Sequence, residues 1–249
     1  MDLLSDLMST PGLPVLILAA FVAGMVRGFS GFGTAMVFLP AAGQVVSPIW
    51  ALTIMGIMDM IGPLPNVPRA LRDGHPRDVV RLAVGLIVAL PIGIALLSLM
   101  APDVYRYAVS TISLILLVAL IAGLRYRGRL SKPLIYGTGA IGGFLTGSTG
   151  LAGPPVIMLY MASTHAASVI RANLMLYLLC ADALMVVLFA FWGLITLTPV
   201  LLGLLVAVPY LLANMVGAAI FNPDKEKLYR WVAYAIIATS AIMGFPIWD

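Results

Sequence analysis

Residues 24–34 read GMVRGFSGFGT, and residues 143–153 read GFLTGSTGLAG. Gly24, Gly28 and Gly31 pair with Gly143, Gly147 and Gly150 at one constant offset of 119 residues. Glycine with Ser/Thr in apolar surroundings favours a break in a helix, and a break exposes backbone N–H and C=O groups that lipid cannot satisfy. At membrane depth such backbone persists only where protein or a water-filled cavity supplies the missing bonds. Two breaks in matching positions of a duplicated chain point to a transport site.

The rest of the chain supports a membrane reading. Of 249 residues, 62% are apolar and 10% charged, and mean hydropathy is +1.08. Soluble domains carry roughly 25% charged residues. The sequence therefore predicts an all-α integral membrane protein, a single membrane domain over residues 1–249 with the lipid bilayer as its partner. Net charge is +4 and the pI about 9.4, but the cations lie in short loops between apolar runs, where the positive-inside bias puts them. No nucleic acid is expected. A single cysteine, Cys180, lies inside an apolar run, so no disulfide framework, metal site or cofactor is expected. Residues 1–12 carry Asp2 and Asp6 and neither Lys nor Arg, unlike the basic start of a secretory signal.

Six segments are long enough for a hydrocarbon core that needs about 20 apolar residues: 48–66, 79–101, 104–124, 168–192, 196–221 and 228–247. Four others, 13–27 and 34–46 around the first motif and 133–147 and 154–163 around the second, are short and read as arms of re-entrant hairpins. The duplication extends further: GLIVALP at 85–91 matches GLLVAVP at 203–209, and Pro102-Asp103 matches Pro223-Asp224. Arg69, Arg72, Arg77 and Arg81 fill one loop, and Arg125, Arg127, Arg129 and Lys132 fill the linker 125–132, two spans later; both read as cytoplasmic. In the second half the counterpart of the first loop, 193–199, is uncharged, whereas the counterpart of the quiet corner at 101–103 carries Lys225, Lys227 and Arg230. The charge pattern inverts, which requires an odd number of crossings per half. The expectation is two inverted-topology repeats, 13–124 and 133–247, each a re-entrant helical hairpin plus three transmembrane helices, with both termini periplasmic. Two full short crossings in place of each hairpin satisfy the same parity.

Outside the loops ionisable residues are very few, and three stand out: Arg27 at the first break, and Asp59 and Asp182 near the middles of long apolar runs. A charge at depth costs a few kcal/mol on insertion scales and marks a functional site by default. Asp59 and Asp182 stand near the repeat offset and read as symmetry mates, which either bind a proton or cation or hold the broken backbone by accepting its N–H groups. Arg27 is read as an anion ligand, with a snorkelling side chain at a helix end as the alternative. The helices after the breaks start near Thr34 and near Pro154, and helix N-termini attract anions. The expected cradle comprises Arg27, Gly28, Ser30, Gly31, Gly33 and Thr34 from the first motif, and Gly147, Ser148, Thr149, Gly150, Gly153 and Pro154 from the second. Arg171, Asn173 and His165 follow the second hairpin and read as a cavity mouth, Arg171 otherwise setting topology and His165 otherwise merely solvated. The methionines around Met55–Met60 and Met158–Met161 are ordinary helix packing, and no metal is assigned to them.

At these residues the chain resembles the sulfite exporter TauE/SafE family of membrane permeases. The resemblance rests on GLAGPPVIMLYM at 150–161, on Val169-Ile170-Arg171-Ala172-Asn173, and on DMIGPLPNVPRALRDG from Asp59. It implies a non-enzymatic secondary transporter that moves a small sulfur-containing anion, sulfite, sulfoacetate or another organosulfonate, across the bacterial cytoplasmic membrane by alternating access. The first motif has Thr34-Ala35 where the second has Gly153-Pro154, so the first hairpin is expected to bind less closely. No G-x-x-x-x-G-K loop is present, so the chain is not its own ATPase; coupling to a proton or ion gradient through Asp59 and Asp182 is a hypothesis. An uncoupled small-anion channel is the first alternative. An intramembrane serine protease is a weaker one, because Gly28-Phe29-Ser30-Gly31 fits a nucleophile turn but His75 and His165 both lie in expected loops. Gly139, Gly143 and Gly147 permit close helix packing, and a homodimer stays open.

Overall fold

The computed structural model describes residues 7, 10, 12–123, 130–160 and 167–247. All regular structure among them is helical: α1 Leu13–Ser30, α2 Thr34–Ala42, α3 Pro48–Ile61, α4 Val67–Asp73, α5 Pro76–Leu99, α6 Pro102–Ile121, α7 Lys132–Thr149, α8 Gly153–Tyr160, α9 Ala167–Phe191, α10 Leu197–Ile220 and α11 Glu226–Met243, with short 3-10 turns at Leu64–Asn66 and Pro223–Lys225. Five helices, α1, α5, α6, α9 and α10, are long and apolar enough to cross a membrane. Outward-facing apolar side chains on α5 (Val80, Val84, Val88) and α10 (Val208, Leu212, Met215) suit contact with lipid.

Several expected boundaries move. The run at 48–66 is not one span: α3 has 14 residues, and Gly62-Pro63 stops it before a 3-10 turn and α4. Conversely, α1 runs 18 residues to Ser30 instead of stopping at 27. The run at 228–247 forms α11, which starts with Glu226 and carries Lys227 and Arg230 in its first turns, and it is not among the five. Of the linker 125–132, residues 125–129 lie outside the described residues, as does the end of the 154–163 arm.

Packing divides the chain into two units, each drawing on both halves of the sequence: Met1–Asp59 with Ala101–Leu117 and Trp192–Asp249, and Met60–Met100 with Val118–Phe191. In the first unit α1 and α2 form a hairpin, because a β-carbon on Gly12 would meet Val45, the start of one arm touching the end of the other. The reversal uses two left-handed glycines, Gly31 (φ 79°) and Gly33 (φ 98°), a region that residues with a β-carbon avoid. Gly31 closes α1 by donating its N–H to the Arg27 carbonyl. The first turn of α2 is tied to α11, where the Ser240 hydroxyl donates to the Val37 carbonyl at 2.6 Å. In the second unit α7 ends at Gly150 (φ 78°), whose N–H bonds back to Thr146 O in the manner of a left-handed glycine cap, while the Leu151 N–H reaches Leu145 O. The chain then turns back, and the Ala152 carbonyl comes beside Gly142.

The glycine motifs are therefore mostly helix. Of the three glycines that pair between the motifs, the third of each shapes the break, joined by Gly33 in the first motif, and the first two pack helix on helix. Gly24 lies against the backbone of Tyr210, and Gly28 against Asn214, Gly217 and Ala218, which sets α1 parallel to α10. In the second unit Gly143 lies against Leu86, and Gly147 against Leu90, Gly93 and Ile94, which sets α7 parallel to α5. Small residues spaced by four let backbones approach this closely. The two contact sets correspond residue by residue, with Leu86, Leu90, Gly93 and Ile94 standing for Tyr210, Asn214, Gly217 and Ala218 at a constant offset of 124. The GLIVALP and GLLVAVP match, at an offset of 118, is thus out of register with the packing by six residues. Apolar helix sequence is repetitive enough to align at a wrong offset, whereas a backbone contact admits only glycine.

Candidate functional site

Four polar side chains of the first unit close into a ring. Arg27 stands in the last turn of α1, Thr34 opens α2, Asp59 lies in the last turn of α3, and Tyr210 projects from α10, where the Gly24 contact fixes its backbone. The Arg27 Nη1 donates to Asp59 Oδ2 at 2.9 Å and to Thr34 Oγ1 at 3.3 Å. Tyr210 donates its hydroxyl to Asp59 Oδ1, and the Thr34 hydroxyl lies 3.2 Å from the Tyr210 oxygen. With the Tyr210 proton committed to the carboxylate, Thr34 is the donor in that last bond. Every donor in the ring therefore leads to Asp59.

The ring is buried: the Arg27 side chain is 12% exposed and that of Asp59 8%. Ionised groups out of water persist only when paired and hydrogen-bonded, and charge-assisted bonds of this kind are the strong ones. Four helices converge to supply them, with the first hairpin contributing two of the four members.

The other expected site residues divide sharply. Ser30 spends its hydroxyl on the turn, lying 2.7 Å from the Val26 carbonyl and 2.8 Å from that of Phe32. Ser148 and Thr149 donate to the carbonyls of Phe144 and Leu145 four residues back, at 2.8 and 3.0 Å. Of the hydroxyls of the first motif, that of Thr34 bonds Arg27. Gly28 and Gly147 are packing glycines, and Gly31, Gly33 and Gly150 shape the turns. Gly153 and Pro154 open α8, but Pro154 and Pro155 have no N–H, so two of the three first-turn donors are missing there. The first turn of α2 keeps the amides of Thr34, Ala35 and Met36, since its first intrahelical bond runs from Val37 N to Gly33 O. The expected ranking of the hairpins is reversed on donor count.

Asp182 is also buried, at 5% exposure. Thr146 stands at the position related to Arg27, its hydroxyl donating to the Gly142 carbonyl at 2.6 Å, and Leu86 stands at the position of Tyr210. Asn173, expected at a cavity mouth, is fully buried instead: its Oδ1 accepts the His75 N–H at 2.7 Å and its Nδ2 donates to the Tyr160 hydroxyl at 3.3 Å. It secures the approach to α5. Arg171 is exposed on α9, and His165 lies outside the described residues.

Sequence reasoning passed over Tyr210 and Arg106. Tyr210 is one of nine tyrosines, and the available signal was a hydroxyl and, one turn on, Asn214 in an otherwise apolar span. Arg106 is buried in α6, where its Nε donates to the Gly244 carbonyl beyond the last turn of α11. A helix C-terminus carries partial negative charge, so this arginine is engaged where an anion is disfavoured.

No curated protein and no solved structure matches the chain at a significant level. A family match does: the model described as Sulfite exporter TauE/SafE covers residues 16–243, a stretch that includes all four members of the ring. With five helices long and apolar enough to cross a bilayer, this makes the protein a multi-pass membrane protein. A match over nearly the whole chain shows that it belongs to the sulfite exporter TauE/SafE family.

Proposed function

We propose that this protein is a secondary transporter that carries a small sulfur-containing anion, such as sulfite, sulfoacetate or another organosulfonate, across the bacterial cytoplasmic membrane by alternating access between two inverted repeats. Family membership supports the transport of an anion of this class. The observation that carries the choice of site is Arg27, a buried guanidinium at the tip of the first hairpin, 3.3 Å from the residue that opens α2. A guanidinium presents a planar fork of donors that matches a sulfite or sulfonate oxygen pair, and it keeps its charge when desolvated. The α2 amides add a partial positive charge on the same side. The second hairpin, with Thr146 in place of the arginine and prolines in the first turn of α8, holds no comparable set of donors.

The test is uptake of labelled sulfite and sulfoacetate into proteoliposomes. Wild-type protein is expected to take up at least one of them, Arg27→Lys to keep part of the rate, and Arg27→Met to lose it. Unchanged uptake by Arg27→Met removes Arg27 from the site.

A further inference from the structure

We infer that Asp59 is an internal stand-in for the transported anion, so that the anion reaches Arg27 only when Asp59 has taken up a proton. The inference rests on the function proposed above and adds the coupling to it. Asp59 occupies Arg27 through a bond of 2.9 Å, so the arginine already has a carboxylate where a substrate oxyanion belongs. The groups facing Asp59 are Arg27 from α1, Tyr210 from α10 and the Thr34 hydroxyl from α2.

Charge in the buried ring decides the order of events. With Asp59 ionised, the Arg27–Asp59 pair is neutral. Adding a monoanion to that pair leaves a net negative charge out of water, which is strongly disfavoured. If Asp59 first binds a proton, it releases its claim on Arg27, the anion takes the vacated donors, and the assembly is neutral again. Proton and anion thus enter together, one of each, and leave together. The ring also offers the route for the exchange: Tyr210 donates to ionised Asp59 and can rotate to accept from the carboxylic acid, with Thr34 turning in concert. The carrier cycle is electroneutral for a monoanion.

This assigns the coupling to Asp59 alone. The second motif has Thr146 at the position related to Arg27, which offers no guanidinium for an anion to take over.

The decisive measurement compares net accumulation with exchange. Proteoliposomes are given labelled sulfite or methanesulfonate, whichever the wild-type protein carries, with and without an acid-outside pH gradient. Wild-type protein is expected to accumulate the anion several-fold above equilibrium under the gradient, and to show the same initial rate when a membrane potential is imposed at constant pH. Asp59→Asn mimics the protonated side chain; it is expected to retain exchange of labelled for unlabelled anion and to lose gradient-driven accumulation. Asp182→Asn is expected to keep accumulation. In detergent, binding of methanesulfonate, a monoanion throughout the range, read by thermal shift is expected to weaken about tenfold per pH unit in wild-type protein where the empty site is deprotonated, and to be independent of pH in Asp59→Asn. An Asp59→Asn protein that still accumulates anion under the gradient, or that binds it with wild-type pH dependence, overturns the coupling while leaving the transport reading in place. Wild-type protein that carries neither probe overturns both.

Discussion

Gly143→Ala, compared with Gly137→Ala on the same helix, isolates the packing that holds the second unit together. A β-carbon on Gly143 would stand 2.6 Å from the Leu86 Cα and carbonyl oxygen, whereas one on Gly137 meets nothing within 4 Å. Ordinary carbon contacts begin near 3.5 Å, so α5 and α7 must part by nearly 1 Å to admit the methyl group. Gly139 and Gly147 share that seam, and a gap of this size forfeits roughly a quarter to a half of each dispersion contact along it. Overpacking of this kind costs about 1–3 kcal/mol. Both substitutions gain the same helix propensity, up to about 1 kcal/mol. The propensity gain cancels in the comparison, so the difference between the variants is the packing cost itself. Reversible unfolding of the purified protein in mixed micelles, followed by loss of helical circular dichroism, is expected to place Gly143→Ala below Gly137→Ala by about 1–3 kcal/mol. Equal unfolding midpoints refute the seam, and with it the argument that the repeated glycines exist for backbone approach.

Three further outcomes concern the ring and, in the second unit, Asn173. Arg27→Met leaves a buried carboxylate unpaired and is expected to cost roughly 3–5 kcal/mol, whereas Arg27→Met with Asp59→Leu costs less than the two single changes together; additivity in the same unfolding assay denies the pair. Tyr210→Phe removes the hydroxyl between Asp59 and Thr34 and is expected to lower stability by about 1–3 kcal/mol, a loss that vanishes in an Asp59→Leu, Thr34→Val background. Asn173→Ala strips the His75 N–H and the Tyr160 hydroxyl of a partner, at a cost of about 1–3 kcal/mol, and hydrogen exchange at the start of α5 is expected to rise; unchanged exchange contradicts its anchoring role.

The hairpin turn and the ring illustrate how differently the parts of this protein were legible. Gly31 and Gly150 were readable as breaks because glycine tolerates the left-handed backbone that a reversal requires, and that preference is local. Gly24, Gly28, Gly143 and Gly147 were misread as part of the same breaks. Their role depends on the helix opposite, which lies some 60 residues before the second motif or nearly 190 after the first. Arg27 and Asp59 were each conspicuous as charges in apolar sequence, but their pairing was not, since residues 32 apart meet only once a hairpin has turned the chain back. Pro154 was counted as a favourable helix start, which it is; its missing N–H matters only when that start is asked to bind an anion.

Composition and local patterning by themselves determined that this chain is helical, apolar enough for a bilayer, marked by a glycine motif that occurs twice, and akin to the sulfite exporter TauE/SafE family. Those properties are sums over residues or depend on near neighbours, so they survive without knowledge of the fold. Tertiary structure decided which glycines turn the chain and which seat one helix on another, the register of those helix contacts, and the selection of Asp59 as the partner of Arg27. Each of those rests on side chains distant in sequence reaching hydrogen-bonding or contact distance, and only packing brings them there.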